Sequence, residues 1–393
     1  MKSFDCVVVG GGMVGAASAL SLAQLGLTVA VVEQSTPIQY SPKQAFDLRV
    51  SAVSLASEKL LTQLGAWQQV KAWRSCPYMR LGVWEHELSY TEFDAKNIKQ
   101  NHLGHIIENR LLQLSLWQEI EKHSNIEMYC PDTLQKMNYH EDFVEVKLND
   151  EILTSKLVIA ADGANSKVRQ LVGIGVTGWD YQQSAMLINV ETKSAQDDIT
   201  WQQFFETGPV AMLPMPGKSE LGGYASLVWY HHRDEIKRLA SLSNTQLQQE
   251  ISVNFPKRLG EVKVIDKGAF PLTRRHAIQY HKSRVLLLGD AAHSINPMAG
   301  QGVNLGFKDV TALAKVIANA ITNGECWHEQ QVLMSYEKLR RKDNLLMMST
   351  MDTLYGTFSH PSSLIKAARN AGLMLANKVP YLKNKALAYA CGI

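Results

Sequence analysis

A chain of 393 residues is longer than one ordinary hydrophobic core organises, so two intimately connected domains are expected. Its 46% hydrophobic and 20% charged residues exclude a disordered or fibrous chain, and a net charge of +3 gives no argument for a nucleic-acid partner.

Taken from the N-terminus, residues 5–10 contain Cys6-Val7-Val8-Val9, a β-branched run that predicts a buried strand. It ends in Gly10-Gly11-Gly12, and the small residues from Met13 onward predict a helix that Gly26 closes. A second buried strand over 27–32 finishes at Glu33 and completes a βαβ unit. Residues 38–47, polar and proline-punctuated, read as a loop. Helices are expected over 51–64, closed by Gly65, and over 109–123. Residues 143–148 alternate and 157–160 are continuously apolar, a hairpin-like stretch. From about 181 to 272 the character changes, and alternating runs over 184–190 and 224–230 predict an antiparallel layer facing the substrate. Residues 284–288 then restore a buried parallel-type strand, followed by a long helix over about 302–321.

Five cysteines, Cys6, Cys76, Cys130, Cys326 and Cys391, are scattered without metal-ligand or redox spacing, as in a reduced cytoplasmic protein. The strand beginning at Asp5 leaves no room for a signal peptide, and no apolar run reaches the roughly 18 residues that span a bilayer. The expected location is the cytoplasm, with peripheral attachment to the inner face of the cytoplasmic membrane left open.

Three segments carry chemistry. In the first, Gly10 permits the tight turn after the strand, Gly12 lets backbone approach a pyrophosphate, and Gly15 lets helix and strand pack closely. The phosphates then meet helix N–H groups, and Glu33 accepts ribose hydroxyls. The second, from Ala161-Asp162-Gly163 to Arg169, reads by itself as an Asx-type turn and helix cap or as a cofactor contact. The third begins at Gly289-Asp290 and runs through Pro297 to Gly300-Gln301-Gly302. Asp290, at the carboxyl end of a buried strand, suits a ribityl chain. The helix opening at Gly302 would turn its N–H groups to the pyrimidine end of a flavin, where negative charge builds on reduction. His293 reads either as an acid–base group near substrate or as a packed histidine. The whole predicts FAD. The expected fold is α/β: a discontinuous FAD-binding Rossmann-like domain (1–75, 100–180 and 277–340), an inserted antiparallel substrate domain (76–99 and 181–276), and a C-terminal helical region (341–393).

Taken in order and at their separations, the three motifs resemble the aromatic-ring hydroxylase family of FAD monooxygenases, of the para-hydroxybenzoate hydroxylase type, over essentially the whole chain. The resemblance implies that Asp162, Gly163 and Arg169 serve both FAD and incoming NAD(P)H, and that Asp290 binds the ribityl and pyrophosphate region. It places Arg49 beside the flavin and its movement, and Gln113 at the adenosine half. The stretches Tyr78-Met79-Arg80-Leu81, Thr200 to Phe204 and Gly268 to His276 resemble ubiquinone-biosynthesis hydroxylases, most closely those acting on a demethoxy benzoquinol ring. The resemblance therefore implies a polyprenyl quinol substrate, molecular oxygen as co-substrate, and NAD(P)H or another electron donor. Proteins of a ubiquinone-biosynthesis complex would be its partners. Oxygen would be transferred through a flavin C4a-hydroperoxide, so the protein's task is to exclude water and position the ring. No catalytic side chain and no metal is assigned. The strand holding Leu213 and Pro214, and Trp229 on its neighbour, are candidates for the substrate wall or plain sheet core. A sibling hydroxylase of a polyprenylphenol, an oxidase or reductase of the same fold, and a non-catalytic flavoprotein scaffold are the alternatives.

From Thr353 to Ile393 there is no Asp or Glu, while Lys366, Arg369, Lys378, Lys383 and Lys385 alternate with Leu364, Leu375 and Leu382. Such a basic, apolar, helix-compatible tail suits an anionic membrane surface, or packs its apolar face on the protein with solvated lysines opposite.

Overall fold

In the computed structural model, which describes residues 1–193, 198–297, 300–360 and 362–393, the first apolar run is a central strand, Lys2–Val9. Cys6, Val7 and Val8 are fully buried there, because a parallel strand covered on both faces has no solvent side. It pairs in parallel with Ile152–Ala160 on one side and Val29–Val32 on the other. Val285–Leu287 and Ile126–Tyr129 extend the sheet in parallel at its two flanks. The helices Met13–Ala23, Asn109–Ile120 and Gly302–Thr322 pack on it.

The second large sheet is dominated by two long strands, Val176–Thr192 and Val262–Ala277, paired antiparallel with register shifts near Asp180 and Asn189. Gly223–His232, Val210–Lys218, Ile199–Gln203, Arg80–Trp84 and Thr91–Asp94 continue it in that order. A three-stranded sheet of Val50–Ser54, Gly104–Glu108 and Cys76–Tyr78 lies beside it.

Two expectations change. Residues 51–64 do not begin as helix: Val50–Ser54 is a strand, and the helix Leu55–Gln63 starts only after Ser54, whose hydroxyl accepts from the Ser57 N–H. Pairing with Gly104–Glu108 overrides local helical preference there. Inside the antiparallel stretch two helices, Arg233–Ser241 and Asn244–Asn254, bury Ile236, Leu239, Leu247 and Ile251 against one sheet face. The capping box of Ser243 and Gln246 was a legible signal for the second.

The tail forms the helices Ser363–Lys378 and Pro380–Cys391 and packs on the sheet edge. Leu387 and Cys391 join Ala95 and Leu103, and Asn377 donates to the Tyr90 carbonyl at 2.9 Å. Arg369 is not a surface lysine-like charge. It is buried, with its Nε 2.7 Å from Glu85 Oε2. Leu375 (59% exposed), Leu382 (61%) and Tyr381 (73%) nevertheless face solvent. Among the described residues no helix is long and apolar enough to cross a membrane.

Candidate active site

The three motifs meet at the carboxyl ends of the parallel strands, where open α/β sheets bind ligands. Gly10 has φ +102°, and a Cβ there would stand 2.4 Å from the Ala161 carbonyl oxygen that precedes Asp162. A Cβ on Gly15 would lie 1.8 Å from the Gly10 oxygen, so helix and turn touch backbone to backbone. Val14 of the same helix packs on Gly289 and Gly306, drawing the third motif against the first.

The Gly11 peptide is held at both ends. Its N–H donates to Glu33 Oε2 at 2.7 Å, and its carbonyl accepts from Gln113 Nε2 at 3.0 Å and Trp117 Nε1 at 2.7 Å. Glu33 and Gln113 thus first orient the loop; Glu33 keeps acceptor capacity to spare. Trp117 was missed, because nothing in a lone indole of an amphipathic helix announces a partner over a hundred residues away.

Asp162 Oδ2 accepts from the Val168 N–H at 3.1 Å, while its buried Oδ1 has no hydrogen-bond partner among the described residues. Gly163 has φ +79° and open space where a Cβ would stand. Arg169 is engaged by backbone. Its buried guanidinium donates to the Ala291 carbonyl at 2.7 Å and the Ala164 carbonyl at 2.8 Å, so it braces the second motif against the third.

Gly289 has φ +55°, and Asp290 beside it is solvent-accessible yet ringed by protein, as on the floor of a cleft. Burial pushes the Asp290 carboxyl above its ordinary value, against the pull of His293 and Arg49. Arg49 is exposed, and its charge acts on Asp290. Gly300 (φ +61°) follows Pro297, whose carbonyl accepts from the Gly300 N–H at 2.9 Å. Met298 and Ala299, between them in the third motif, lie outside the described residues. After Gln301 the helix Gly302–Thr322 begins without a side-chain cap, as does Met13–Ala23 after Gly12. A Cβ on Gly12 or Gly302 would meet nothing within 4 Å. Two open helix N-termini with no side-chain acceptor fit an anionic dinucleotide and the pyrimidine edge of a flavin. Asn304 fixes the second of them: its Oδ1 accepts from the Ser54 N–H at 3.0 Å, and its Nδ2 donates to the Ala52 carbonyl at 2.9 Å.

His293 does not face the cleft as a substrate residue. It is 1% exposed, with Nε2 2.6 Å from Asp309 Oδ2. Asp309, missed from sequence, also accepts from the Gly289 N–H at 3.0 Å and, on Oδ1, from Arg340 Nε at 2.7 Å and Asn344 Nδ2 at 3.1 Å. Behind the cofactor turn stands a buried, charged hydrogen-bond network.

The sheet alternation corrects the substrate wall. Trp229 packs edge-on to Phe255, ring centroids 5.2 Å apart, in the core beneath the two added helices. Pro214 pairs with Ala225 on that same face. Leu213 is on the other face and joins Phe46, Ala52 and Tyr224 around Cys76, Ile106 and Met215, with Ala52 also the neighbour of Gly300. Strand residues point alternately, so Leu213, Tyr224 and Val228 share one face and Trp229 is on the other.

A model of the FAD binding domain family matches residues 3–348. The chain is 46% identical over 390 residues to the 3-demethoxyubiquinol 3-hydroxylase of Escherichia coli, covering 99% of this chain and 98% of that protein. It is 32% identical to the ubiquinone hydroxylase UbiL of Rhodospirillum rubrum, over 100% of this chain and 90% of that one. Its fold matches p-nitrophenol 4-monooxygenase PnpA of Pseudomonas putida with a TM-score of 0.79 at 21% identity, covering 98% and 97% of the two chains.

Proposed function

The chain belongs to the FAD binding domain family and is an FAD-dependent monooxygenase, and from that premise we propose that it hydroxylates the ring of a polyprenylated, demethoxyubiquinol-type benzoquinol in ubiquinone biosynthesis. The observation that carries this reading is near-half identity to the Escherichia coli hydroxylase over the full length of both chains. The electron donor is NAD(P)H or another reductant.

The segments 1–75, 100–180 and 277–340 would hold FAD, with 76–99 and 181–276 forming the substrate side. The Gly10–Gly12 turn and the N-terminus after it would take the pyrophosphate, and Glu33 the ribose. Asp290 and Arg49 would hold the ribityl and flavin region, and the helix opening at Gly302 the pyrimidine edge. Once bound and reduced, FAD supplies the oxygen activation. The chain's own contribution is positioning: the Asp309 network fixes the Gly289–Asp290 turn, and the apolar Leu213, Tyr224 and Val228 face keeps water from the ring. An electron-rich quinol needs no dedicated base, and none is assigned.

Turnover of a short-chain demethoxyubiquinol under oxygen-18 is expected to place one labelled atom in the product. Unlabelled product, or hydrogen peroxide alone with every quinol tried, would sink the reading.

The tail is part of the proposal. Leu375, Tyr381 and Leu382, beside Lys378 and Lys385, would rest on an anionic bilayer where the prenyl chain dissolves, on the cytoplasmic face. Replacing Leu375 and Leu382 together by Ser should weaken co-sedimentation with anionic vesicles several-fold at unchanged FAD content. Undiminished vesicle binding would leave the exposed side chains without that role.

A further inference from the structure

Three metal-ligand side chains converge where none of the cofactor-facing motifs uses them. Glu58 is on the helix Leu55–Gln63, His102 precedes the strand Gly104–Glu108, and His105 is on it. Glu58 Oε2 is 2.7 Å from His102 Nε2 and 3.5 Å from His105 Nδ1, and the three ligand atoms lie within 4.8 Å of one another. The two imidazoles stand nearly edge to face, centroids 4.5 Å apart at 71°.

An ion pair accounts for His102. His105 is 7% exposed, and its Nδ1, although within ion-pair reach of the same Glu58 oxygen at 3.5 Å, makes no hydrogen bond among the described residues. Leaving a buried imidazole nitrogen unmatched is costly, and this one lies within the cluster with Glu58 and His102. The edge of Trp67 closes the other side of the His105 ring, at 4.9 Å and 82°, so the ring cannot simply swing to water.

We propose that Glu58, His102 and His105 form a binding site for a divalent transition-metal ion, Zn2+ by ligand chemistry, with a fourth position left to water. Bonds of about 2.1 Å in tetrahedral geometry separate ligand atoms by about 3.4 Å, which is a small side-chain adjustment from the distances above. Two imidazoles and one carboxylate select first-row transition ions over Mg2+ or Ca2+, which prefer all-oxygen shells. The ion would tie the Glu58 helix to the His105 strand. Ser57 of that helix donates its hydroxyl to Asn304 at 2.8 Å, so the tie braces the segment that opens at Gly302 without entering the chemistry.

The test uses the FAD-loaded enzyme, stripped with a chelator and dialysed against Zn2+ or Co2+. One ion per chain is expected, with Co2+ giving ligand-field absorption to the red of the flavin bands and Zn2+ raising Tm. Glu58→Gln and His102→Gln should each weaken binding at least about tenfold while retaining FAD. His102 is partly exposed, so its variant carries the test if Glu58→Gln fails to fold. Cys326→Ser removes the separate exposed cluster of Cys326, His328 and Glu329 and should change nothing. The proposal is overturned if no ion is retained, or if binding survives His102→Gln and is lost in Cys326→Ser.

Discussion

Gly15→Ala is expected to yield a destabilised chain that no longer retains FAD, whereas Gly12→Ala is expected to fold normally and bind FAD poorly. The contrast follows from what each new methyl meets. At Gly15 it would stand 1.8 Å from the Gly10 carbonyl oxygen, a backbone atom that cannot rotate aside. Helix and turn must separate, at a cost of about 1–3 kcal/mol or more, and the displaced element is the one proposed to receive the pyrophosphate. At Gly12 the methyl meets no protein atom within 4 Å, and φ of −67° suits alanine. Only a ligand pressed against that backbone would feel it. Denaturant unfolding and FAD titration separate the two effects, with Kd rising at least about tenfold in both variants and the unfolding midpoint falling only in Gly15→Ala. Gly12→Ala with unchanged FAD affinity would remove the phosphate from that turn.

Asp309→Asn should cost about 3–5 kcal/mol and loosen FAD with it. The carboxylate is fully buried and compensates the cation of Arg340 while accepting from His293 and the Gly289 N–H. The amide carries no charge and one acceptor oxygen, so the Arg340 charge loses its compensation and the cofactor turn its anchor. A variant within about 0.5 kcal/mol of the parent in urea unfolding would show that the network is not structural. Burial alone would raise the Asp309 carboxyl; His293 and Arg340 outweigh it and hold it down at about 2. Its folded value lies below the ordinary 3.8, so the unfolded chain takes up the proton first. The stabilisation is therefore complete above about pH 4 and disappears as pH falls toward 2. The acid limb of the parent's stability curve should show this slope, and Asp309→Asn should lack it.

The cofactor half was legible because its demands are local. A strand, Gly10-x-Gly12-x-x-Gly15, a helix and an acid sit within one short βαβ unit, and Gly10 and Gly15 each answer a backbone contact that no side chain permits. The order of the three motifs likewise carried the family resemblance. What sequence missed is contact made at a distance. Local pattern made residues 51–54 helical until the partner strand Gly104–Glu108 claimed them. Arg369 read as one more surface cation until Glu85, on the edge of the antiparallel sheet, took it inside. Arg169 read as a cofactor contact, and its brace to Ala291 was not legible.

The sequence by itself determined the glycine turn, the strand–helix alternation and the kind of chemistry, since these rest on steric permission at single residues, on periodicity along one element and on the order of the motifs. The tertiary structure alone decided which residues share each sheet face, that Trp229 and His293 are packed while Asp290 is exposed, and that Asp309 anchors the Gly289 turn. Strand pairing fixes facing only once register is set, and a buried charge finds its partners only when distant segments close around it.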